Sequence, residues 1–497
     1  MQKKVFLGAL NPVVEPIGLL HLATIAKEEG WEPKVTLAEN SDLTDLDKKI
    51  DEFKPDLFGF TIYTGNHLQI FEYFDKLKKR NPNINIIFGG PHATYSPAES
   101  LRHADYVVLS EGLNGFRRIL RNEVKKGIVP LEKLERFPIS SREEFYKDHP
   151  KYNLSHTKSI ITQTGCPFSC TYCYNSSTLS EISSILSKEQ CEKMGKVLGA
   201  SKRLFPITVR SVDDVVEEVA NTKIVSPETS LIYFQDDVFG ANLEWVKEFR
   251  EKFPQTGIKF HAQMRFENAD PDNPKCREKI ELMREAGCTG LTFAIESADR
   301  LMRKEVLNRH MNEDLMFNVF HFLSKLGYKV RTEQMLGLPY GATSLETRVG
   351  IDQDLETLKL NIRLKEETGL PNMAWASIFI PYKGTRIYDY CVKHGFYEGN
   401  NKDVPMTFFE RSVLTLPKKW IGPSLSSQTK GAWLDGAELE EQRDKIDSLR
   451  DLFTTFGLMP KGHRLAKKFL DNKDKSYKGL STTVRRHLYD AVLYGLE

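Results

Sequence analysis

The chain has 497 residues, enough for about three domains of ordinary size. Its 70 Lys and Arg nearly balance 68 Asp and Glu, and a net charge of +2 argues against a polynucleotide or an anionic membrane surface as the partner. Hydrophobic content of 40% and charged content of 28% are ordinary for a globular protein, and no run approaches the roughly 18 apolar residues of a membrane span. Seven cysteines without an apolar signal segment predict a reducing, cytoplasmic setting rather than a disulfide framework.

From the N-terminus, apolar runs at 3–10, 33–38, 57–63, 84–88 and 106–109 alternate with helical patterns that begin near Ile17, Leu46 and Leu68. Short apolar strands alternating with helices predict a parallel sheet covered on both faces, here a five-stranded, doubly wound, Rossmann-like domain over residues 1–125. Ligands of such sheets sit at the carboxyl ends of the strands. Two of those ends carry Gly89-Gly90-Pro91-His92-Ala93 and Ser110-Glu111-Gly112. Taken singly, the glycines read as tight turns rather than as a ligand site. Residues 126–157, charged and punctuated by Pro130, Pro138 and Pro150, read as a linker packed over the surface.

Next comes Thr164-Gly165-Cys166-Pro167-Phe168-Ser169-Cys170-Thr171-Tyr172-Cys173, three cysteines spaced C-x3-C-x2-C directly after a short apolar run at 159–162. Three thiolates at that spacing suit three corners of a [4Fe-4S] cluster, leaving one iron open to an outside ligand. The alternative is structural zinc, with His156 or Cys191 as a fourth ligand. Further apolar runs at 231–235, 260–265, 291–295, 330–336 and 373–380 alternate with helical patterns, one of them starting at Ser211 and Asp214 in the manner of a capping box. Cys276 and Cys288 read as helix or core residues.

Beyond residue 396 the alternation fades. Phe408, Phe409, Trp420 and Trp433 are either core or pocket lining, and the basic stretch 461–478 reads as a solvated helical face. Substrate specificity is expected here and in the 176–206 insertion.

The cysteine run with Tyr172 resembles the C-x3-C-x-aromatic-C motif of radical S-adenosylmethionine (SAM) enzymes, and the N-terminal glycine signatures resemble the cobalamin-binding-like domain of one large class of them. The resemblance covers residues 1–395. It implies an α/β fold: a Rossmann-like, doubly wound parallel sheet, then a partial (β/α)6 radical SAM barrel over 158–395 and a mainly helical C-terminal segment over 396–497. It implies Cys166, Cys170 and Cys173 as cluster ligands, and SAM contacts from Tyr172, Asp236, Asp237, Arg265, Glu296, Ser297 and Gly337. Asp236 and Asp237 stand where many members have Gly-Gly-Glu, and they are equally suited to capping the next helix. Arg265 would pair with the methionyl carboxylate. For cobalamin the implied set is Pro16, Gly18, Thr61, Gly89, Gly90, Pro91, His92, Glu111 and Gly112. The first loop reads Asn11-Pro12-Val13-Val14-Glu15-Pro16-Ile17-Gly18 and lacks the D-x-H-x-x-G of cobalamin domains that ligate cobalt through histidine, so cobalt without a lower histidine is expected. The implied activity is methyl transfer to an unactivated centre of a small molecule, with an electron donor such as a flavodoxin or ferredoxin. A radical cyclase, dehydratase, epimerase or rearranging enzyme is the alternative, and a non-catalytic iron-sulfur or zinc interaction protein the second.

Overall fold

The computed structural model describes residues 2–471 apart from 11, 13, 135, 241, 342–348, 408, 409 and 420–432. The chain forms two compact units, Met1–Phe168 with Tyr174–Gln235, and Ser169–Cys173 with Asp236–Glu497.

In the first unit, strands β1 (Lys4–Leu10), β2 (Glu32–Ala38), β3 (Leu57–Thr61), β4 (Asn85–Gly89), β5 (Tyr106–Val108) and β6 (Gly127–Val129) form a parallel sheet in the order β2-β1-β3-β4-β5-β6. Successive residues of β1 serve opposite cores. Phe6 packs with Phe58, Phe60, Phe74 and Phe88 on one face, while Val5 and Leu7 pack with Leu20, Val35, Ile87 and Phe116 on the other. Helix Ile17–Glu28 covers the second face and helix His67–Arg80 the first, so the sheet is doubly wound as predicted. Gly8 permits this packing: a Cβ there would come within 2.6 Å of the Phe60 ring.

The sheet has six strands where the sequence suggests five. The extra one, β6, is three residues long and lies in the stretch read as linker, too short to register as an apolar run. That stretch also buries Phe137, Phe145, Tyr146 and Tyr152 in the same core as Leu20, so it is part of the body of the unit rather than a surface strap.

The first unit also holds β7 (Thr157–Ile160), the short antiparallel pair β8 (Gln163–Thr164) and β9 (Thr208–Val209), and β10 (Leu231–Phe234), which runs parallel to β7. A buried ion network ties its segments together. Arg142 lies 3.0 Å from Glu15 and 3.3 Å from Glu218, and Arg210 lies 2.6 Å from Glu218. The network reaches the backbone just before the cysteine loop: Ser159 N–H donates to Glu15 at 2.7 Å, and Arg142 and Arg210 donate to the carbonyls of Ser159 and Ile161 at 2.7 and 2.8 Å.

In the second unit, β11 (Lys259–Met264), β12 (Cys288–Glu296), β13 (Lys329–Leu336) and β14 (Met373–Ile378) pair in parallel, each with the next. Helices Pro274–Glu285, Glu313–Lys325 and Ile351–Thr368 connect them, the first two capped by Asn273 and Asn312. Thus β7 and β10 to β14 are the six strands that the periodicity picks out of the second half of the chain. Ser211 caps its helix by accepting from Asp214 N–H at 3.1 Å, as read from the sequence, while the Asp214 carboxylate pairs with Arg136. The described part of the C-terminal segment is irregular over 404–407 and 410–419 and then carries two helices. Helix Gly436–Gly457 buries Ile446, Leu449 and Phe453 in the core that includes Ala374 and Leu358, and helix Gly462–Asp471 keeps Arg464, Lys467 and Lys468 exposed. Trp433 packs edge-on to Phe396, ring centroids 5.2 Å apart, which makes it core; Phe408, Phe409 and Trp420 lie outside the described residues. Among the described residues no helix is long and apolar enough to cross a membrane.

Candidate active site

The cysteine loop is divided between the units: Cys166 belongs to the first, Cys170 and Cys173 to the second. Cys166 and Cys170 are buried and Cys173 is half-buried. In the first unit Arg203 donates to three consecutive carbonyls, those of Cys166, Pro167 (3.0 Å) and Phe168 (2.9 Å). The 176–206 insertion therefore buttresses this loop, a task the sequence did not reveal. Gly165 is required by the same contact: its φ is +74°, and a Cβ would meet the carbonyl oxygens of Pro206 and Phe205 at 2.7 and 2.8 Å. Gly165→Ala is accordingly expected to leave the chain folded while lowering the iron bound after anaerobic reconstitution, measured against protein concentration.

In the second unit, Thr171 N–H donates to Leu307 O at 3.1 Å and Ile387 N–H to Thr171 O at 3.1 Å, while Asn308 and Arg386 donate to Ser169 O. Backbone from two other segments thus fixes the loop around Cys170. The Tyr172 hydroxyl donates to Glu296 Oε1 at 2.6 Å and accepts from Arg309 Nη1 at 2.9 Å. Glu296 ends β12 at a register shift with φ +67°, a conformation costing a non-glycine residue roughly 1–3 kcal/mol and typical of functional sites. Burial raises its pKa against the opposing charge of Arg309, 3.7 Å away.

Arg265, directly after β11, is buried with its guanidinium divided between two partners. Nη1 donates to Cys170 Sγ at 2.9 Å, while Nε and Nη2 donate to the Glu267 carboxylate at 3.1 and 2.6 Å. Burial pushes the Glu267 pKa up, but the Arg265 bonds outweigh it and hold the carboxyl below its usual range.

The remaining predicted SAM contacts differ in their surroundings. Asp236 is fully buried and Asp237 exposed; the following helix, Leu243–Lys252, is capped by Asn242, which accepts from Glu244 N–H at 2.9 Å, so neither aspartate is its cap. Ser297 is buried, its hydroxyl 2.9 Å from Tyr340 Oη and accepting from Asp299 N–H at 3.1 Å. Gly337, at φ +70°, donates its N–H to both oxygens of Asp354 at 3.2 and 3.1 Å. Asp354 is a buried acid that sequence reasoning missed, since it sits in helix Ile351–Thr368 with nothing to mark it; burial raises its pKa well above the carboxylate range. Asp354→Asn keeps an acceptor for Gly337 N–H and is expected to melt close to the wild type at neutral pH. Asp354→Ala strands that buried donor and should cost roughly 1–3 kcal/mol in a denaturant titration.

Other side chains fall outside this constellation. His156 Nδ1 contacts Glu228 O at 2.9 Å and the Cys191 thiol contacts Ser183 O, so the two proposed extra zinc ligands are engaged elsewhere. None of the seven cysteines is in a disulfide, and Cys288 and Cys391 are buried in the core.

In the first unit, the residues suggested for cobalamin gather at one edge of the parallel sheet. Pro16 and Gly18 open the helix after β1, Thr61 ends β3, Gly89 ends β4 with Gly90 to His92 following it, and Glu111 and Gly112 follow β5. Gly90, at φ +92°, lets this turn close against the end of β3, since a Cβ would meet Thr61 Oγ1 at 2.6 Å and Ile62 O at 3.0 Å. Glu111 Oε2 is buried without a hydrogen-bond partner, and burial raises that carboxyl to about 7. Val14, Tyr63 and Leu68 expose apolar surface at the same edge. His92 is buried, 3.0 Å from Thr64 Oγ1 and stacked on His67 at 4.2 Å. Among the described residues, His67, His92 and Glu99 bring potential ligand atoms within 4.8 Å of one another. Gly65 N–H donates to His67 Nδ1, which places the proton of the neutral ring on Nε2 and disfavours metal binding there.

Comparison with known proteins defines the class. Residues 3–120 match the model of the B12 binding domain and residues 160–343 that of the radical SAM superfamily. The chain belongs to the radical SAM enzymes that carry an N-terminal B12-binding domain. It is 25% identical over 409 residues to an uncharacterized methyltransferase of Pyrococcus horikoshii, covering 76% of this chain and 78% of that one. It is 23% identical to the cytidylyl-2-hydroxyethylphosphonate methyltransferase of Streptomyces wedmorensis, covering 83% and 84%. Among solved structures, the cobalamin-dependent SAM radical enzyme OxsB with aqua-cobalamin matches at a TM-score of 0.63 and 13% identity, over 100% of this chain and 72% of that one. The radical SAM methyltransferase TsrM of Kitasatospora setae matches at 0.55 and 14%, over 79% and 76%. At these identities the structural matches speak for the fold alone.

Proposed function

We propose that the protein is a cobalamin-dependent radical SAM methyltransferase acting on an unactivated carbon or phosphorus centre of a small molecule. The observation carrying this reading is one chain that joins a C-x3-C-x-Tyr-C loop to a parallel sheet whose carboxyl edge gathers Gly90, His92, Glu111 and Gly112. The residues present fit the implied groups. Three cysteines outside any disulfide, two of them buried, are a donor set for a cluster with one open iron. The unpaired Glu111 Oε2 at the carboxyl edge of the sheet suits a ligand edged with amide donors. When bound, these cofactors supply the radical generation and the methyl group, chemistry that no side chain provides.

The chain's own residues then bind, orient and shield. Cys166, Cys170 and Cys173 hold the cluster, and the burial of Cys166 and Cys170 limits access of water. Tyr172 is fixed by Glu296 and Arg309, and with Asp236 and the Gly337 backbone it forms the SAM-facing set of the second unit. A flavodoxin or ferredoxin serves as electron donor. The whole reading is tested by incubating anaerobically reconstituted protein with SAM and a low-potential reductant, with and without hydroxocobalamin. Both 5'-deoxyadenosine and S-adenosylhomocysteine are expected, the latter only with cobalamin. 5'-Deoxyadenosine alone would replace methyl transfer by cyclisation, dehydration, epimerisation or rearrangement, and intact SAM would contradict an enzymatic role.

A further inference from the structure

The geometry points to Arg265 as the residue that sets the reduction potential of the cluster, by donating a hydrogen bond to the sulfur of Cys170, with Glu267 as the group that holds it there. This inference rests on the reading of Cys170 as a cluster ligand. It assigns Arg265 a role distinct from the carboxylate pairing suggested by its position at the end of a strand.

Three observations support it. Arg265 Nη1 lies 2.9 Å from Cys170 Sγ, and a thiolate bonded to iron keeps lone pairs able to accept from a guanidinium. The opposite side of the same guanidinium is anchored by two bonds to Glu267, at 3.1 and 2.6 Å, so its plane and its reach to the sulfur are fixed. A planar fork can serve a carboxylate with Nε and Nη2 while Nη1 serves sulfur; an ammonium group has no equivalent geometry. Finally, Arg265 and Cys170 are buried, where a fixed positive charge and a hydrogen bond act at low dielectric. Uptake of one electron makes the cluster more negative, and a donor on a ligand sulfur stabilises that state more than the oxidised one. Hydrogen bonds to the sulfurs are among the recognised controls of cluster potential. Arg265 therefore raises the potential, and Glu267 moderates it by partly neutralising the guanidinium.

The test is an electron paramagnetic resonance redox titration of the reconstituted full-length protein without SAM, comparing the wild type with Arg265→Gln, Arg265→Lys and Glu267→Gln. With iron and sulfide content equal to wild type, both Arg265 variants should show a lower midpoint, and Glu267→Gln a higher one. An unchanged midpoint in a fully loaded Arg265→Gln protein overturns the inference and leaves the cluster assignment standing. Loss of iron in both Arg265 variants overturns it too, assigning Arg265 to holding the loop. Failure of the wild-type protein to bind a cluster refutes instead the reading on which the inference rests.

Discussion

Cys170→Ala is expected to abolish the cluster and with it every trace of SAM cleavage. The C-x3-C-x2-C spacing supplies only three thiolates, so removing one leaves two, and no other cysteine is placed to substitute: Cys288 and Cys391 are buried in the core, and Cys276 and Cys191 contact the carbonyls of Glu267 and Ser183. The fold should survive. The loop around Cys170 is held through the backbone of Ser169 and Thr171, and Arg265 keeps its ion pair with Glu267 when the sulfur is gone. Iron and acid-labile sulfide should fall to background and 5'-deoxyadenosine should be undetectable, while circular dichroism and the Tm stay near wild type. Cys288→Ala is the control. Its thiol lies at the start of β12 near Gly290 O, and its loss should leave iron content intact. Cleavage retained in Cys170→Ala would remove that thiolate from the cluster.

Glu218→Gln is expected to produce the largest loss of stability in the first unit. Glu218 is the shared counter-ion of Arg142 and Arg210, and all three are buried. Breaking one partner of such a group leaves an uncompensated buried charge and costs roughly 3–5 kcal/mol. The same residue sets an acid limit. Burial works to raise the Glu218 pKa, but Arg210 and the other charges around it prevail and hold it at about 2, against an ordinary 4.5. A carboxyl depressed in the folded state contributes stability that is complete above its unfolded pKa and is lost as pH falls through the folded value. The loss therefore runs from about pH 4.5 to about pH 2. His21 adds an earlier one, since burial lowers it from 6.5 to about 4 and the unfolded chain takes up that proton first. In denaturant titrations at several pH values, wild-type stability should fall below pH 6.5 and again below 4.5, and Glu218→Gln should shrink the lower step. An unaltered profile would show that the network carries no net stability.

The fold was largely legible because both halves are built from parallel strands, whose apolar runs stand out against charged helices. Strand β6 was not, being three residues long and held by pairing with β5 rather than by its own pattern. The cysteine motif was legible because covalent spacing alone specifies it. The side-chain contacts made to it were not. Arg203 is separated from Cys166 by 37 positions and Arg265 from Cys170 by 95, and an arginine's partner is set by tertiary placement rather than by neighbours. Asp354 was hidden for a similar reason, as a charged residue in an otherwise ordinary helix. Asp236 and Asp237 illustrate the limit from the other side: adjacent and chemically identical, one is buried and one exposed, a difference that sequence does not encode locally.

One chain is expected to hold both an iron-sulfur cluster and a corrin. The most direct test is metal analysis, with an ultraviolet-visible spectrum, of protein purified anaerobically, reconstituted with iron, sulfide and hydroxocobalamin, and desalted. The account predicts iron and cobalt retained together, near one cluster and one corrin per chain. Iron retained without cobalt would contradict it, leaving a radical SAM protein whose N-terminal sheet serves another purpose.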